Sequence, residues 1–258
     1  MPNFNNLEAV PRKDLHVFFV LDTSGSMSGD RITALNNGMT ECIDALSDLA
    51  KNNGDANIKI AVMQFDSNVK WITYNGPENM EDFTWEPLDC GGMTSMGAAL
   101  AELDSKLSRN EFLSSVTGAL MPVIIVMTDG FANDEWEAPL ARIRDNKWFR
   151  KATKIGFAIG DDADLKMISE VVGNSEAVIR TTDLNLFKKL IKFVSVTAST
   201  LASTSHTTST SADGASVIQT AKKQLALPDS ITPDLDDSDY NKEDTSSDTS
   251  DSFDDGEW

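Results

Sequence analysis

Oxygen-bearing side chains occur in three separated pieces of this 258-residue chain. Asp22, Ser24 and Ser26 follow one apolar run, Asp129 follows another, and Thr94 lies between them in the sequence. Two carboxylates with several hydroxyls, and with no His or Cys, form an oxygen-only set that suits Mg²⁺, Mn²⁺ or Ca²⁺ better than zinc or copper. We therefore predict that Asp22, Ser24, Ser26, Thr94 and Asp129 hold one divalent cation.

The small number of carboxylates favours Mg²⁺, which binds few protein carboxylates and keeps several waters. Two carboxylates roughly balance a divalent charge, and hydroxyls complete the coordination shell without adding negative charge. A position held by water can exchange for a carboxylate of another protein. The metal would then act as an adaptor between two proteins.

Continuous apolar runs at residues 16–21 and 122–127 are typical of strands buried on both faces of a parallel sheet. Further strands are predicted at 58–65, 69–74, 154–159 and 177–180. Apolar residues at helical spacing predict helices at 30–50, 95–107, 135–149, 164–172 and 183–195. This alternation predicts an α/β fold with a doubly wound, mostly parallel central sheet flanked by helices.

The predicted sheet explains how distant residues could meet. Ligands bind beyond the carboxyl ends of the strands in such sheets, where the strand order reverses. If the strands at 16–21 and 122–127 are neighbours, Asp22 and Asp129 face one crevice. Gly91 and Gly92 precede Thr94, and glycines allow a close backbone approach and a positive φ there.

The charge of the chain is unevenly placed. The net charge is −19, of which residues 229–258 carry −11 and the rest −8. A chain this acidic is a poor non-specific ligand for nucleic acid or anionic lipid, because both require clustered Lys and Arg. Two cysteines, no signal-peptide run in residues 1–15 and no bilayer-length apolar stretch lead us to expect a cytoplasmic protein.

Composition also predicts the domain boundaries. We expect an N-terminal extension at 1–13, one domain at 14–198, and a Ser/Thr- and Asp-rich tail at 199–258 that is largely disordered. Residues 216–227 could form a short helix within this tail. A tail carboxylate could occupy the open metal position, and residues 253–258 could be a docking motif because their aromatics are otherwise unexplained.

The metal ligands carry a family resemblance. The run Asp22-Thr23-Ser24-Gly25-Ser26 resembles the Asp-x-Ser-x-Ser core of the metal-ion-dependent adhesion site of von Willebrand factor type A (VWA) domains. Thr94 matches the threonine of that site and Asp129 its distal aspartate, in the expected order. The resemblance covers about residues 14–195. One departure is Met93, which is inserted before Thr94 against the commoner Gly-Gly-Thr and could alter that loop.

The resemblance implies a metal-dependent protein-interaction module with a Rossmann-like VWA fold. Within the family, residues 21–29 look most like small bacterial cytoplasmic members associated with tellurium resistance and stress response. That narrower likeness implies a protein kinase or phosphatase as partner. The chain is accordingly predicted not to be an enzyme.

The best enzymatic alternative is a Mg²⁺-dependent phosphatase or phosphotransferase with Asp22 as its nucleophile. Such enzymes commonly carry a second Asp two residues later, where this chain has Ser24. With only two histidines a Ser-His-Asp triad has little support, and no Gly-Lys-Ser/Thr phosphate loop is present.

Several other residues suit structural roles. His16 begins an apolar strand, and Asp134 is expected to complement the dipole of the helix that follows it. A solvated loop on the metal side of the sheet is predicted to contain Asp161 and Asp162. Trp85 and Trp136 flank the site in sequence, so one of them could line a contact surface.

Overall fold

The computed structural model describes residues 11–204 and 213–233, and these contain one seven-stranded sheet. Its strands are β1 (Lys13–Asp22), β2 (Ala56–Phe65), β3 (Val69–Trp71), β4 (Glu78–Asn79), β5 (Val123–Thr128), β6 (Thr153–Ile159) and β7 (Val178–Thr181). The order is β3-β2-β1-β5-β6-β7, and β4 pairs with β2. Only β3 and β4 run antiparallel to their neighbour. The predicted doubly wound, mostly parallel sheet is confirmed.

Seven α-helices in the described residues cover both faces of the sheet. They are α1 (Asp30–Asn52), α2 (Met96–Lys106), α3 (Glu137–Asp145), α4 (Lys147–Lys151), α5 (Leu165–Val172), α6 (Leu184–Thr204) and α7 (Gly214–Leu225). Alternate residues of β1 point to opposite sides, because side chains in a strand alternate. Phe19 packs in the core with α1, α6 and α7, and Phe18 in the core with α2, α3 and α4. No helix in the described ranges is both long and apolar enough to cross a membrane.

The predicted helix at 135–149 is wrong at one point, because Asn146 interrupts it. Asn146 has an extended backbone, with φ −67° and ψ 120°. Its side-chain oxygen accepts a hydrogen bond from Trp148 N at 2.9 Å, and its amide donates to Asp104 at 2.9 Å. Side-chain bonds of this kind compete with the helical backbone and favour helix caps. The segment therefore forms two helices, α3 and α4.

The helices of the fold continue beyond residue 198, where the sequence predicts the end of the domain. Helix α6 continues to Thr204, and α7 buries Val217, Ile218 and Ala221 at no more than 1% exposure. The Ser- and Thr-rich residues around this segment led to the prediction of a tail. The apolar face of α7 nevertheless packs against the rest of the core. At the other end, β1 begins at Lys13, one residue before the predicted domain. The remaining parts of the predicted extension and tail, at 1–10, 205–212 and 234–258, lie outside the described residues.

The packing of β1 against β5 positions the candidate ligands. The two strands pair in parallel, with Leu21 opposite Met127. Asp22 and Thr128, the next residues along each strand, therefore end side by side at the carboxyl edge of the sheet. Both strands are buried along their length, which explains the two apolar runs that predict them.

His16 lies inside β1 at 1% exposure, as its position in an apolar run predicts. Neither ring nitrogen has a hydrogen-bond partner within the described residues. Burial lowers the pKa of His16 to about 4, although the charge of Asp14 opposes this shift. Between pH 6.5 and 4 the unfolded chain therefore binds a proton that the folded chain does not.

Acid is consequently expected to destabilise the fold through His16. This contribution is fully present above pH 6.5 and is lost as the pH falls towards 4, by up to about 3 kcal/mol. The variant His16→Phe should lose this component, because it keeps a ring beside Phe18 but cannot be protonated. Urea titrations in chelator at several pH values measure it. Equal pH slopes for the two proteins would contradict the prediction.

Candidate metal centre

Asp22 is the innermost carboxylate of the candidate site and is fully buried. Its Oδ1 accepts a hydrogen bond from Ser24 N at 2.8 Å, and its Oδ2 accepts one from Thr128 Oγ1 at 2.5 Å. Burial raises the pKa of Asp22, and the negative charge of Asp129 adds to the effect. The two hydrogen bonds offset part of this shift. A second positive charge at the site would therefore stabilise the ionised carboxylate.

Two serine hydroxyls connect this loop to Asp129. Ser24 Oγ lies 3.0 Å from Ser26 Oγ, and Ser26 Oγ donates to Asp129 Oδ1 at 2.7 Å. Asp129 is fully buried and Ser24 is 2% exposed, whereas Ser26 is exposed. The site thus opens to solvent beside Ser26, with both carboxylates beneath.

The loop before α2 packs directly on the loop that carries Asp22 and the serines. Gly91 N donates to Thr23 O at 2.8 Å, and Gly25 N donates to Gly92 O at 3.0 Å. Gly92 has φ +77°, and an added Cβ there would lie 2.6 Å from Ser67 Oγ. The prediction that a glycine is needed for close approach and positive φ is confirmed for Gly92.

Thr94 is held in place by Asn133. Thr94 N donates to Asn133 Oδ1 at 2.8 Å, and Asn133 N donates to Thr94 O at 2.8 Å. Thr94 itself is 4% exposed, whereas Met93 is 56% exposed. The inserted Met93 is therefore largely exposed, whereas Thr94 is buried against the loop of Asn133.

The structure thus brings Asp22, Ser24, Ser26 and Asp129 into one hydrogen-bonded group and fastens the loop of Thr94 to both neighbouring loops. Their role as metal ligands remains a prediction. Sequence reasoning missed Asn133, which carries no metal-ligand pattern of its own. It is recognisable only from its reciprocal bonds with Thr94.

Sequence reasoning also missed Arg31, which reaches into the site from the first turn of α1. Its Nη1 lies 2.6 Å from Asp129 Oδ2, and its Nη2 lies 2.8 Å from Asp162 Oδ1. The hydrogen bond to Asp129 raises the pKa of Arg31, and Arg31 lowers the pKa of Asp162. The position of Arg31 could have indicated this contact, because a cation in the first turn of a helix is unfavourable for the helix dipole unless an acidic side chain lies nearby. These contacts confirm that the loop containing Asp162 lies on the metal side.

The donor set fits a hard divalent cation. Asp22 and Asp129, together with Arg31 and its second partner Asp162, leave two net negative charges, and every candidate ligand atom is an oxygen. In residues 11–204 and 213–233, no three His, Cys, Asp or Glu side chains form a metal-binding group. A cation here would therefore rely on two carboxylates, hydroxyls and water, as Mg²⁺ does. When bound, it would supply a positive charge and an exchangeable coordination position.

Arg31 is expected to weaken metal binding, because it shares the charge of Asp129 with any cation. Replacing Arg31 with methionine should raise Mg²⁺ affinity by about fivefold, the equivalent of about 1 kcal/mol for a partly exposed ion pair. Isothermal titration calorimetry measures the change. A lower affinity in Arg31→Met would contradict this account and make Arg31 a positioning residue for Asp129.

Arg180 offers a matched control for this experiment. Its Nη2 lies 3.1 Å from Asp161 Oδ1, so it contacts the same loop as Arg31 but no candidate ligand. Arg180→Met removes the same charge at a greater distance from the site. Its Mg²⁺ affinity should stay close to that of the unaltered protein.

Other residues singled out by sequence have structural roles. Trp85 and Trp136 pack against the two cores, so neither is an exposed side chain at the opening of the site. Asp134 accepts hydrogen bonds from Gly97 N at 3.0 Å and Ala98 N at 2.9 Å. It therefore stabilises the start of α2, a role that the sequence did not indicate.

Comparison with known proteins finds one family model and several solved structures that match this chain. The family model described as the von Willebrand factor type A domain matches residues 16–193. A von Willebrand factor type A structure from Catenulispora acidiphila aligns with TM-score 0.55 and 19% identity, covering 72% of this chain and 42% of that one. No curated protein sequence matches the chain.

A second similar structure is proximal thread matrix protein 1 from the mussel byssus. It aligns with TM-score 0.53 and 19% identity, over 70% of this chain and 47% of that one. Another structure of the mussel protein has a zinc-occupied MIDAS motif, and aligns with TM-score 0.51 and 19% identity over 70% of this chain and 47% of that one. This chain spans less than half the length of these structures, and at such identities the likeness shows the fold alone.

Proposed function

We propose that this chain, which belongs to the von Willebrand factor type A domain family, is a metal-dependent protein-interaction module. One divalent cation is held by Asp22, Ser24, Ser26, Thr94 and Asp129. Its remaining coordination position accepts a carboxylate of the partner. This proposal depends on one observation. The fully buried carboxylates of Asp22 and Asp129 lie in one hydrogen-bonded group with the hydroxyls of Ser24 and Ser26, and this group is open to solvent beside Ser26.

The proposed resident ion is Mg²⁺, with Mn²⁺ or Ca²⁺ as substitutes. Two carboxylates with neutral hydroxyls suit a cation that retains water. Zinc occupies the equivalent motif of the mussel protein, but the all-oxygen set here favours harder ions. Competition between Mg²⁺ and Zn²⁺ in calorimetry separates these choices.

A narrower proposal concerns the setting. We place this chain in the bacterial cytoplasm, with the members of its family associated with tellurium resistance and stress response. A protein kinase or phosphatase is then the partner. Support comes only from the resemblance of residues 21–29. A partner that is neither a kinase nor a phosphatase would contradict this narrower proposal but leave the interaction module intact.

The phosphatase alternative is weakened by the surroundings of Asp22. A nucleophilic carboxylate must reach a substrate, but Asp22 is fully buried and both of its oxygens accept hydrogen bonds. Ser24 replaces the second Asp that such enzymes commonly use. Sustained turnover of an aryl phosphate with Mg²⁺, abolished in Asp22→Asn, would favour the enzyme instead.

The proposed function is tested by affinity capture with the full chain as bait. A specific partner should be retained in Mg²⁺, released by chelator, and lost with Ser24→Ala. Ser28→Ala is the matched control, because Ser28 lies in the same loop but its hydroxyl donates to Gly25 O. Retention that survives both chelation and Ser24→Ala would refute a metal-bridged contact.

A further inference from the structure

Two large apolar side chains are exposed on the two loops that carry Thr94 and Asp129. Met93 is 56% exposed and directly precedes Thr94, and Phe131 is 64% exposed and follows Asp129 by two residues. Their loops are joined by the reciprocal hydrogen bonds between Thr94 and Asn133. We call Met93 and Phe131 the apolar rim. Exposed apolar side chains grouped around a polar centre are typical of an interaction surface.

The negative charge beside the apolar rim is neutralised when a cation binds. Asp22, Asp129 and Asp162 together with Arg31 carry two negative charges, which one divalent ion balances. Arg31 is 27% exposed and reaches the same opening through Asp129. The occupied site therefore calls for a ligand that places a carboxylate on the cation and apolar side chains on Met93 and Phe131.

The chain itself contains a segment with this chemistry. Residues 253–258 read Phe-Asp-Asp-Gly-Glu-Trp, so three carboxylates lie between two aromatic side chains. In the preceding residues 234–252, Tyr240 is the one aromatic residue. The segment thus combines the acidic and aromatic groups that the occupied site calls for.

We propose that residues 253–258 of the same chain bind at the occupied metal centre. A carboxylate of Asp254, Asp255 or Glu257 takes the open coordination position, and the aromatic side chains pack on the apolar rim. This inference rests on the proposed function, since it uses the same cation. It adds an internal ligand that an external partner must displace.

The length of chain after the last described residue permits this contact. Nineteen residues lie between Pro233 and Phe253, and the twenty steps from one to the other reach about 66 Å in an extended chain. A domain of the described size has a radius of gyration of about 17 Å. The segment is therefore long enough to reach the metal centre from most of the surface.

The charge distribution makes this contact dependent on the metal. Residues 229–258 carry −11 and the rest of the chain −8, so the two parts repel each other without a cation. Because of this repulsion, docking of residues 253–258 should need Mg²⁺ and should be lost when a chelator removes the ion. Salt weakens both the repulsion and the local attraction to the cation.

The inference is tested with a fluorescein-labelled peptide of residues 251–258. The binding protein is the full chain carrying D254N, D255N and E257Q, so that its own segment does not compete. Fluorescence anisotropy should show saturable binding in Mg²⁺ that weakens by about tenfold or more in chelator. Met93→Ser and Phe131→Ser should each weaken it by about fivefold. The unaltered full chain should bind the peptide by about tenfold more weakly, because its own segment occupies the site.

Tyr74→Ser is the matched control, because Tyr74 is 73% exposed and follows β3, in a segment that carries none of the candidate ligands. Its peptide affinity should not change. Calorimetry of Mg²⁺ uptake separates the two proposals. Uptake without peptide binding, or peptide binding that ignores both Met93→Ser and Phe131→Ser, overturns the internal ligand alone. Absence of metal uptake overturns the proposed function as well.

Discussion

Replacing Asp129 with asparagine is expected to lower the affinity for Mg²⁺ by a factor of about 100 or more, the equivalent of about 3 kcal/mol. Asparagine has nearly the same shape, and its side-chain oxygen can still accept the hydrogen bond that Ser26 donates at 2.7 Å. Its amide nitrogen then faces Arg31 Nη1, and because both groups are donors Arg31 must turn towards Asp162. The change therefore removes charge and one ion pair while keeping the side-chain volume. Isothermal titration calorimetry with Mg²⁺ measures the loss.

The expected effect is large because Asp129 has two electrostatic tasks. It supplies one of the two carboxylates, and it neutralises Arg31 at 2.6 Å. Without the Asp129 charge, the guanidinium is still held near the site by Asp162 and repels the incoming cation. The group formed by Asp22, residue 129, Asp162 and Arg31 then changes from two net negative charges to one. Burial of the site strengthens this effect, because buried charges are weakly screened.

Asp161→Asn is the control for this prediction. Asp161 is an acid on the neighbouring loop, but its side chain is 85% exposed and contacts Arg180. The change removes the same charge from the same edge of the sheet and should leave Mg²⁺ affinity nearly unaltered. Equal losses for the two variants would mean that net charge, and not Asp129 as a ligand, determines the affinity.

Gly97→Ala is expected to cost about 3 kcal/mol in the free energy of unfolding, at the upper end for overpacking. An added Cβ would overlap the carbonyl oxygen of Glu135 and lie 2.9 Å from its carbonyl carbon. Both are backbone atoms, so no side chain can rotate away. Either α2 or the loop that follows Asp129 must move.

The same movement should also lower Mg²⁺ affinity. Asp134, next to Glu135, holds the start of α2, and Asn133 in the same loop holds Thr94. Displacing the loop separates Thr94 from Asp129. Urea unfolding and calorimetry on Gly97→Ala measure the two effects.

Gly91→Ala is the control within the site. No atom lies within 4 Å of a Cβ added at Gly91, and its φ is not in the left-handed region. This variant should unfold within about 0.5 kcal/mol of the unaltered protein and retain Mg²⁺ binding. If Gly97→Ala has the same free energy of unfolding as the unaltered protein, α2 and the loop of Glu135 can move apart at little cost, and the prediction is wrong.

The charge balance at Arg31 links the metal to its ligand. Before a cation binds, Arg31 and the carboxylates of Asp22, Asp129 and Asp162 have two net negative charges, which favour the ion and repel an acidic ligand. After binding, these charges are balanced and the open coordination position favours a carboxylate. This balance predicts that the cation binds first, and then the carboxylate of residues 253–258 or of a partner.

The sequence by itself determined the sheet and the five candidate ligands. Strands buried on both faces appear as apolar runs, and each run ends at a polar residue that must lie at the edge of the sheet. Asp22, Ser24 and Ser26 are close in sequence, so their grouping needs no knowledge of the fold. The predicted positions of β1, β2 and β5 agree with the structure to within a few residues.

Only the tertiary structure decided which loops touch. The contact of Arg31 with Asp129 joins residues 98 positions apart, and the partnership of Thr94 with Asn133 joins residues 39 apart. Such contacts follow from β1 lying beside β5, which no local pattern specifies. The need for glycine at position 97 and the burial of α7 likewise depend on surfaces that meet only after folding. Local spacing therefore predicts the ligand atoms, whereas the surrounding charge, the exposed rim and the limits of the domain are set by long-range packing.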